Sequence, residues 1–212
     1  MDVQMYTVGP VQENCFLARL DGSTHAVIVD PGEEAPRLLE AIERQGLELD
    51  AILLTHTHFD HVGAVAPLAR ATGAPVYCPE IEVPVLQDIM AFVPWPGFGP
   101  FESWDPEYTV QGGETLELAG MTIEVVFTPG HSPGHVTYAI RDGQALFSGD
   151  VLFEGSVGRV DLPGGDWPTL FNSIRGLVES YPAETAVYPG HMGTTTLGAE
   201  RAGNPFLVEL AR

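Results

Sequence analysis

Thr55-His56-Thr57-His58-Phe59-Asp60-His61 places four potential metal-binding side chains within six residues, from His56 to His61. Alternate residues of an extended segment point to the same side, so His56 and His58 can bind one metal while Asp60 turns with His61 toward a second. The cluster follows directly on Ala51–Leu54, a short continuous apolar run of the kind a buried strand shows. A polar loop carrying solvated histidines is the plain alternative. Imidazoles and carboxylates this dense at the end of a buried run require a cation to satisfy them, which favours the metal.

One local cluster cannot close two coordination spheres. Three later segments share a format in which an apolar run ends in a glycine-flanked ligand: Phe127-Thr128-Pro129-Gly130-His131-Ser132-Pro133-Gly134-His135, Leu146-Phe147-Ser148-Gly149-Asp150 and Val187-Tyr188-Pro189-Gly190-His191. Glycine beside a ligand lets the backbone bend sharply and come close to the site. Each segment is weak alone, because a histidine after Pro-Gly is commonly a turn residue. Together with the first cluster they make a strong case for a metal centre, and leave open which side chains are ligands.

These turns need elements to position them. Strands are read at Met1–Val8, Cys15–Leu20 and His25–Val29, with Asp21-Gly22 as a hairpin turn. Leu38, Leu39 and Ile42 recur at helical spacing, with Glu33 and Glu34 in the first turn and Gly46 as the stop. A second helix ends near Thr72-Gly73, followed by a brief strand at Pro75–Cys78. Residues 84–110 hold five prolines and six aromatics and read as a long loop, either a lid or a segment packed on the edge of the fold. Further strands are expected at Thr122–Phe127, His135–Ile140, Gln144–Ser148 and Thr185–Tyr188, with helices from Trp167 to about Glu179 and near the C-terminus. Two mixed sheets packed face to face with helices outside would bury all of these runs, one of several α/β arrangements that periodicity allows. Residues 1–212 are expected to form one domain.

Composition narrows the function classes. Apolar residues make up 44% of the chain and charged residues 18%, which excludes a disordered polypeptide. No stretch approaches the ~20 apolar residues of a membrane span, and the N-terminus lacks the pattern of a signal peptide. A cytoplasmic protein that does not engage a membrane is expected. Net charge is −20, and all nine basic residues are arginine. Such a chain repels phosphate backbones, so nucleic acid is disfavoured as substrate or partner. Cys15 and Cys78 are expected to be buried free thiols.

His56-x-His58-x-Asp60-His61, Gly130-His131-Ser132-Pro133-Gly134-His135, Ser148-Gly149-Asp150 and Gly190-His191 resemble the motifs of the metallo-β-lactamase superfamily, and within it the short bacterial glyoxalase II-like branch. The resemblance runs from the Val29-Asp30-Pro31-Gly32 turn to His191. It implies an α/β fold, an αββα sandwich with metals at one edge of the two sheets. It also implies that one metal takes His56, His58 and His131 while the other takes Asp60, His61 and His191, with Asp150 bridging. His135 and Asp30 match supporting positions beside the ligands. An aspartate at 150, where many β-lactamases carry cysteine, and a histidine at 61 make antibiotic hydrolysis the less expected activity.

Imidazole and carboxylate ligands suit zinc, iron or manganese; zinc ranks first and iron second. Two divalent ions about 3.5–4 Å apart can hold a bridging hydroxide, because metal binding lowers the pKa of water from about 15.7 to near 7. The expected reaction is hydrolysis of a small-molecule thioester such as S-lactoylglutathione, with Asp60 and Asp150 as the catalytic carboxylates. Only 21 residues follow His191, so the helical glutathione-binding domain of glyoxalase II is absent in its familiar form. Arg159 could meet a substrate carboxylate or simply pair with Asp161 or Asp166. The rival activity is that of the persulfide dioxygenases, mononuclear iron enzymes of sulfur metabolism that also carry a Gly-Arg-x-Asp segment. The thiol, the acyl group and the oligomeric state are left open.

Overall fold

The computed structural model describes residues 1–141 and 144–208. The first half runs β1 (Asp2–Val8), β2 (Glu13–Arg19), β3 (His25–Val29), α1 (Ala35–Arg44), β4 (Glu48–Leu53), α2 (Phe59–Val62), α3 (Val65–Thr72), β5 (Val76–Pro79), α4 (Val83–Gln87), α5 (Ile89–Phe92) and β6 (Tyr108–Val110). The second runs β7 (Thr115–Leu118), β8 (Met121–Phe127), β9 (Val136–Ile140), β10 (Ala145–Gly149), β11 (Leu152–Phe153), β12 (Ser156–Val157), α6 (Trp167–Ser180), β13 (Ala186–Pro189), β14 (Thr195–Thr196) and α7 (Leu197–Gly203). One sheet has the order β1-β2-β3-β4-β5-β6 and the other β14-β13-β10-β9-β8-β7, with β11 and β12 as a separate hairpin. Both large sheets are mixed. Pairing is antiparallel from β1 to β3 and parallel from β3 to β6. In the second sheet β10 and β13 are parallel amid antiparallel neighbours.

Strand periodicity explains why the central runs are apolar throughout. Side chains alternate across a strand, and here both faces are covered. Phe16, Val27, Val29 and Leu53 join Val125, Tyr138 and Phe147 in the core between the sheets. Their neighbours Leu17, Ile28 and Ile52 pack with Leu38, Ile42 and Leu68 of α1 and α3. Ala139, Leu146 and Val187 do the same with Leu170, Ile174 and Leu177 of α6. The result is the αββα sandwich, with each fully buried large side chain contributing roughly 1.5–3 kcal/mol. Among the described residues, no helix is long and apolar enough to cross a membrane.

Two expectations need correction. Glu33 and Glu34 do not lie in the first turn of α1: the helix begins at Ala35, and Glu34 caps it in a left-handed conformation (φ 56°). Pro36 suits the first turn because its missing N–H would have no partner there. Residues 84–110 are not a continuous loop, since they hold most of α4, all of α5, and β6. Their aromatic side chains divide. Phe98, Phe101 and Trp104 pack on the core between the first sheet and helices α1 and α3, with Phe98 4.8 Å from Phe59 between ring centroids. Phe92 and Trp95 remain 54% and 41% exposed, beside the cavity described below.

Candidate metal centre

Every ligand-bearing turn leaves the end of a strand. Residues 55–58 follow β4, His131 follows β8, Asp150 follows β10 and His191 follows β13. Asp60 and His61 sit on α2, the single turn of helix that His58 opens. The structure brings His56, His58, Asp60, His61, His131, Asp150 and His191 together at one edge of the sandwich. Ligand atoms of His56, His58 and His131 all lie within 4.8 Å of one another, as do those of Asp60, His61 and His191.

Hydrogen bonds behind the rings decide which nitrogen faces inward. An imidazole that donates through one nitrogen presents a lone pair on the other. His61 Nδ1 donates to Asp30 Oδ2 (3.1 Å), His131 Nδ1 to the Arg159 carbonyl (2.8 Å) and His191 Nδ1 to the Gln12 carbonyl (3.3 Å). Thr55 Oγ1 gives its proton to Asp30 Oδ2 (2.6 Å), so it accepts from His56 Nδ1 (3.0 Å). These four rings therefore present Nε2. His58 presents Nδ1, which lies 3.1 Å from His56 Nε2 and 2.8 Å from His131 Nε2. His135 is different. Its Nε2 accepts from the Asp150 backbone N–H (3.1 Å) while Nδ1 meets Thr128 Oγ1 (3.1 Å), so both nitrogens are engaged and the ring supports Asp150 from behind.

Asp150 stands between the two groups. Its Oδ1 is 3.4 Å from His61 Nε2, and its Oδ2 is 3.4 Å from His131 Nε2 and 3.6 Å from His191 Nε2. Asp60 Oδ2 lies 3.3 Å from His191 Nε2 and 3.9 Å from His61 Nε2. Ligands at about 2.0–2.1 Å in tetrahedral array stand about 3.3 Å apart, so these spacings suit a shared ion. Two inward atoms, His61 Nε2 and Asp150 Oδ1, are buried without any hydrogen-bond partner. Buried polar atoms seldom go unpaired, and a cation held between these two, 3.4 Å apart, would satisfy both.

Protonation agrees with that role. Burial holds the His56 imidazole well below its ordinary range, and burial together with the charge of His131 pushes His58 down to about 4. Both rings are thus neutral, the state in which imidazole binds metal. Burial also opposes charge on His61, yet Asp150 and Asp60 beside it hold its pKa well up. The positive charge those carboxylates demand is what a cation would supply. Burial works against ionised Asp150 too, but His61, His191 and His131 hold it below the usual carboxylate range. The residues present therefore fit a pair of metal ions.

Two buried residues that motif reading passed over organise these turns, and a third, Glu13, lies close behind His61. Glu82 Oε2 accepts from Thr57 Oγ1 (2.9 Å), and its Oε1 accepts from Ser132 Oγ (2.7 Å) and the Gly134 N–H (2.8 Å). One carboxylate so ties the His56–His58 turn to the His131–His135 turn. Asn14 Nδ2 donates to the carbonyls of Pro189 (3.1 Å) and Met192 (2.9 Å), anchoring the His191 turn to β2. Glu13 is fully buried 3.7 Å from His61 Nδ1. Glu82 stands in a run of alternating acidic and apolar residues, which from sequence looks like a solvated turn. Arg159, by contrast, is spoken for: its guanidinium bonds Asp161 Oδ1 and Oδ2, both at 2.7 Å. Asp166 instead caps α6, accepting from the Thr169 N–H.

Close backbone approach accounts for the glycines. Gly149 adopts φ +46°, where an added Cβ would crowd Thr55 and His135. A Cβ on Gly190 would fall inside van der Waals contact of Asp150 Oδ1 and His61 Cε1. Gly190→Ala is expected to lower metal affinity about 10–100-fold, the usual cost of disturbing ligand supports. Competition with a chromophoric chelator measures this, and unchanged affinity would show that the turn relaxes freely.

The family model of the metallo-beta-lactamase superfamily matches residues 8–191. Hydroxyacylglutathione hydrolase GloC of Haemophilus influenzae is 36% identical over 98% of both chains. Among solved structures, the BLEG-1 B3 metallo-beta-lactamase superposes with a TM-score of 0.92 at 38% identity, covering 98% of this chain and 100% of that one. TTHA1623 in a di-iron-bound form superposes with a TM-score of 0.85 at 44% identity, covering 96% and 100%.

Proposed function

Because this chain belongs to the metallo-beta-lactamase superfamily and is a metal-dependent hydrolase, we propose that it is a two-metal thioesterase of the hydroxyacyl-thiol type. The observation that supports this most is Asp150, whose Oδ1 faces His61 and is left unpaired while its Oδ2 stands between His131 of one group and His191 of the other. In this reading His56, His58 and His131 hold one ion, Asp60, His61 and His191 the other, and Asp150 both. Zinc is the proposed ion; the di-iron relative makes iron the rival. When bound, such ions supply an activated water at neutral pH and polarise the scissile carbonyl.

The chain's own groups do the rest. Asp30, Thr55, Gln12 and the Arg159 carbonyl fix ring orientation, so the ligand set is preorganised before substrate arrives. Asp60, 14% exposed on the cavity wall, orients the attacking water and accepts its proton. The water oxygen bonds to the acyl carbon and the C–S bond breaks. Sulfur leaves with the electron pair and takes the proton that Asp60 accepted, and the remaining proton of the water is released to solvent as the acid ionises, giving a carboxylate and a free thiol. A thiolate leaves readily, which is why no dedicated general acid is required.

Elemental analysis with a turnover panel tests the reading. Two metals per chain and metal-dependent cleavage of S-lactoylglutathione or another thioester are expected. Full thioesterase activity after chelation would overturn it. One iron per chain with oxygen uptake on glutathione persulfide would replace hydrolysis by oxidation. A β-lactam belongs in the panel because BLEG-1 carries that activity in its name; preference for it over every thioester would displace the thioester.

A further inference from the structure

We infer that the cavity beside the metal centre is an acyl subsite, and that the substrate joins an apolar acyl chain to a thiol bearing no net negative charge. The inference rests on the thioesterase reading and puts an apolar acyl group in place of the hydroxyacyl one. The cavity holds about 740 Å³, within the range of about 300–1,000 Å³ typical of small-molecule sites. His58, Asp60, His131, Asp150 and His191 line one wall. Ile81, Val85, Ile89, Phe92 and Trp95 line another, so an apolar surface continues directly from the centre where the carbonyl would sit. Ile81 and Phe92 are 58% and 54% exposed, apolar area that a bound chain would cover.

Charge disfavours the alternative occupant. Glutathione carries two carboxylates against one ammonium, and a site that grips such an anion needs a cation with free donors. Among the described residues lining the cavity, Arg159 is the one arginine, and there is no lysine anywhere in the chain. Its Nε and Nη2 both serve Asp161, and its plane lies over Trp95, 5.6 Å from the ring centroid. A net charge of −20 adds long-range repulsion of anionic substrates.

Acetyl, butyryl and hexanoyl thioesters of glutathione and of N-acetylcysteamine, a neutral thiol, are hydrolysed by the metal-loaded enzyme in matched assays. Each added methylene is expected to raise kcat/KM about fourfold, mainly through KM, until the subsite fills. At matched acyl length and low salt the neutral thiol should be favoured by about tenfold or more, a gap that narrows as salt screens the field. Phe92→Ser should flatten the chain-length dependence at unchanged metal content. Faster turnover of the glutathione esters, or no dependence on acyl length, would overturn the inference while leaving the thioesterase reading intact. If no thioester is turned over, both fall.

Discussion

Asp150→Asn leaves the protein with at most one metal ion per chain and lowers hydrolytic turnover by more than the about 10–100-fold typical of losing an outer support. The amide matches the carboxylate in shape, so the backbone and the bond from its N–H to His135 are retained. Chemistry is what changes. One oxygen becomes an NH2 that donates, placed 3.4 Å from either His61 Nε2 or His131 Nε2, whose lone pairs face the ions. The charge shared by both groups is also lost, so two cations would repel one another without the anion between them. Metal analysis beside steady-state kinetics measures this. Two tightly held ions and near-native turnover in the variant would remove Asp150 from the centre.

Glu82→Ala should be nearly as damaging although Glu82 touches no candidate ligand. Removing the carboxylate strands the Ser132 hydroxyl and the Gly134 N–H in a buried setting and leaves Thr57 Oγ1 with only its 3.3 Å bond to the Glu82 carbonyl. Each stranded group costs about 1–3 kcal/mol, so a loss of several kcal/mol and a lower Tm are expected. Metal affinity should fall about 10–100-fold, because the two histidine turns are no longer fixed relative to each other. Glu82→Gln retains acceptor oxygen on one side and should recover part of both quantities. A variant whose Tm falls while metal affinity holds would make Glu82 a stabilising residue alone.

The chemistry was legible because ligands come with local signals. Four in six residues, and glycine beside each later one, mark the turns at 56–61, 131, 150 and 191 without any coordinates. The sandwich was legible because strands apolar on both faces have to be covered twice, as Phe16 and Leu17 show by entering different cores. Segment 84–110 was misread since Pro84 sits in the first turn of α4, where it interrupts periodicity without abolishing structure, while Pro94, Pro96, Pro100 and Pro106 all lie between α5 and β6. Glu82, Asn14 and Glu13 were not legible. Their roles come from partners distant in sequence, from 25 residues away for Thr57 to 178 for Met192, and no spacing rule reaches that far. Arg159 stood between two readings until its bidentate bond to Asp161 appeared.

The side-chain amide of Asn14 holds the turn that carries His191, and the Asn14 N–H also donates to the Gly190 carbonyl at 2.7 Å. The β1–β2 hairpin is therefore the dock for the turn that carries His191. The corner of the site that carries His191 is thus set by contacts between segments 175 and 178 residues apart, so a disturbance of β2 reaches a candidate ligand that it never touches.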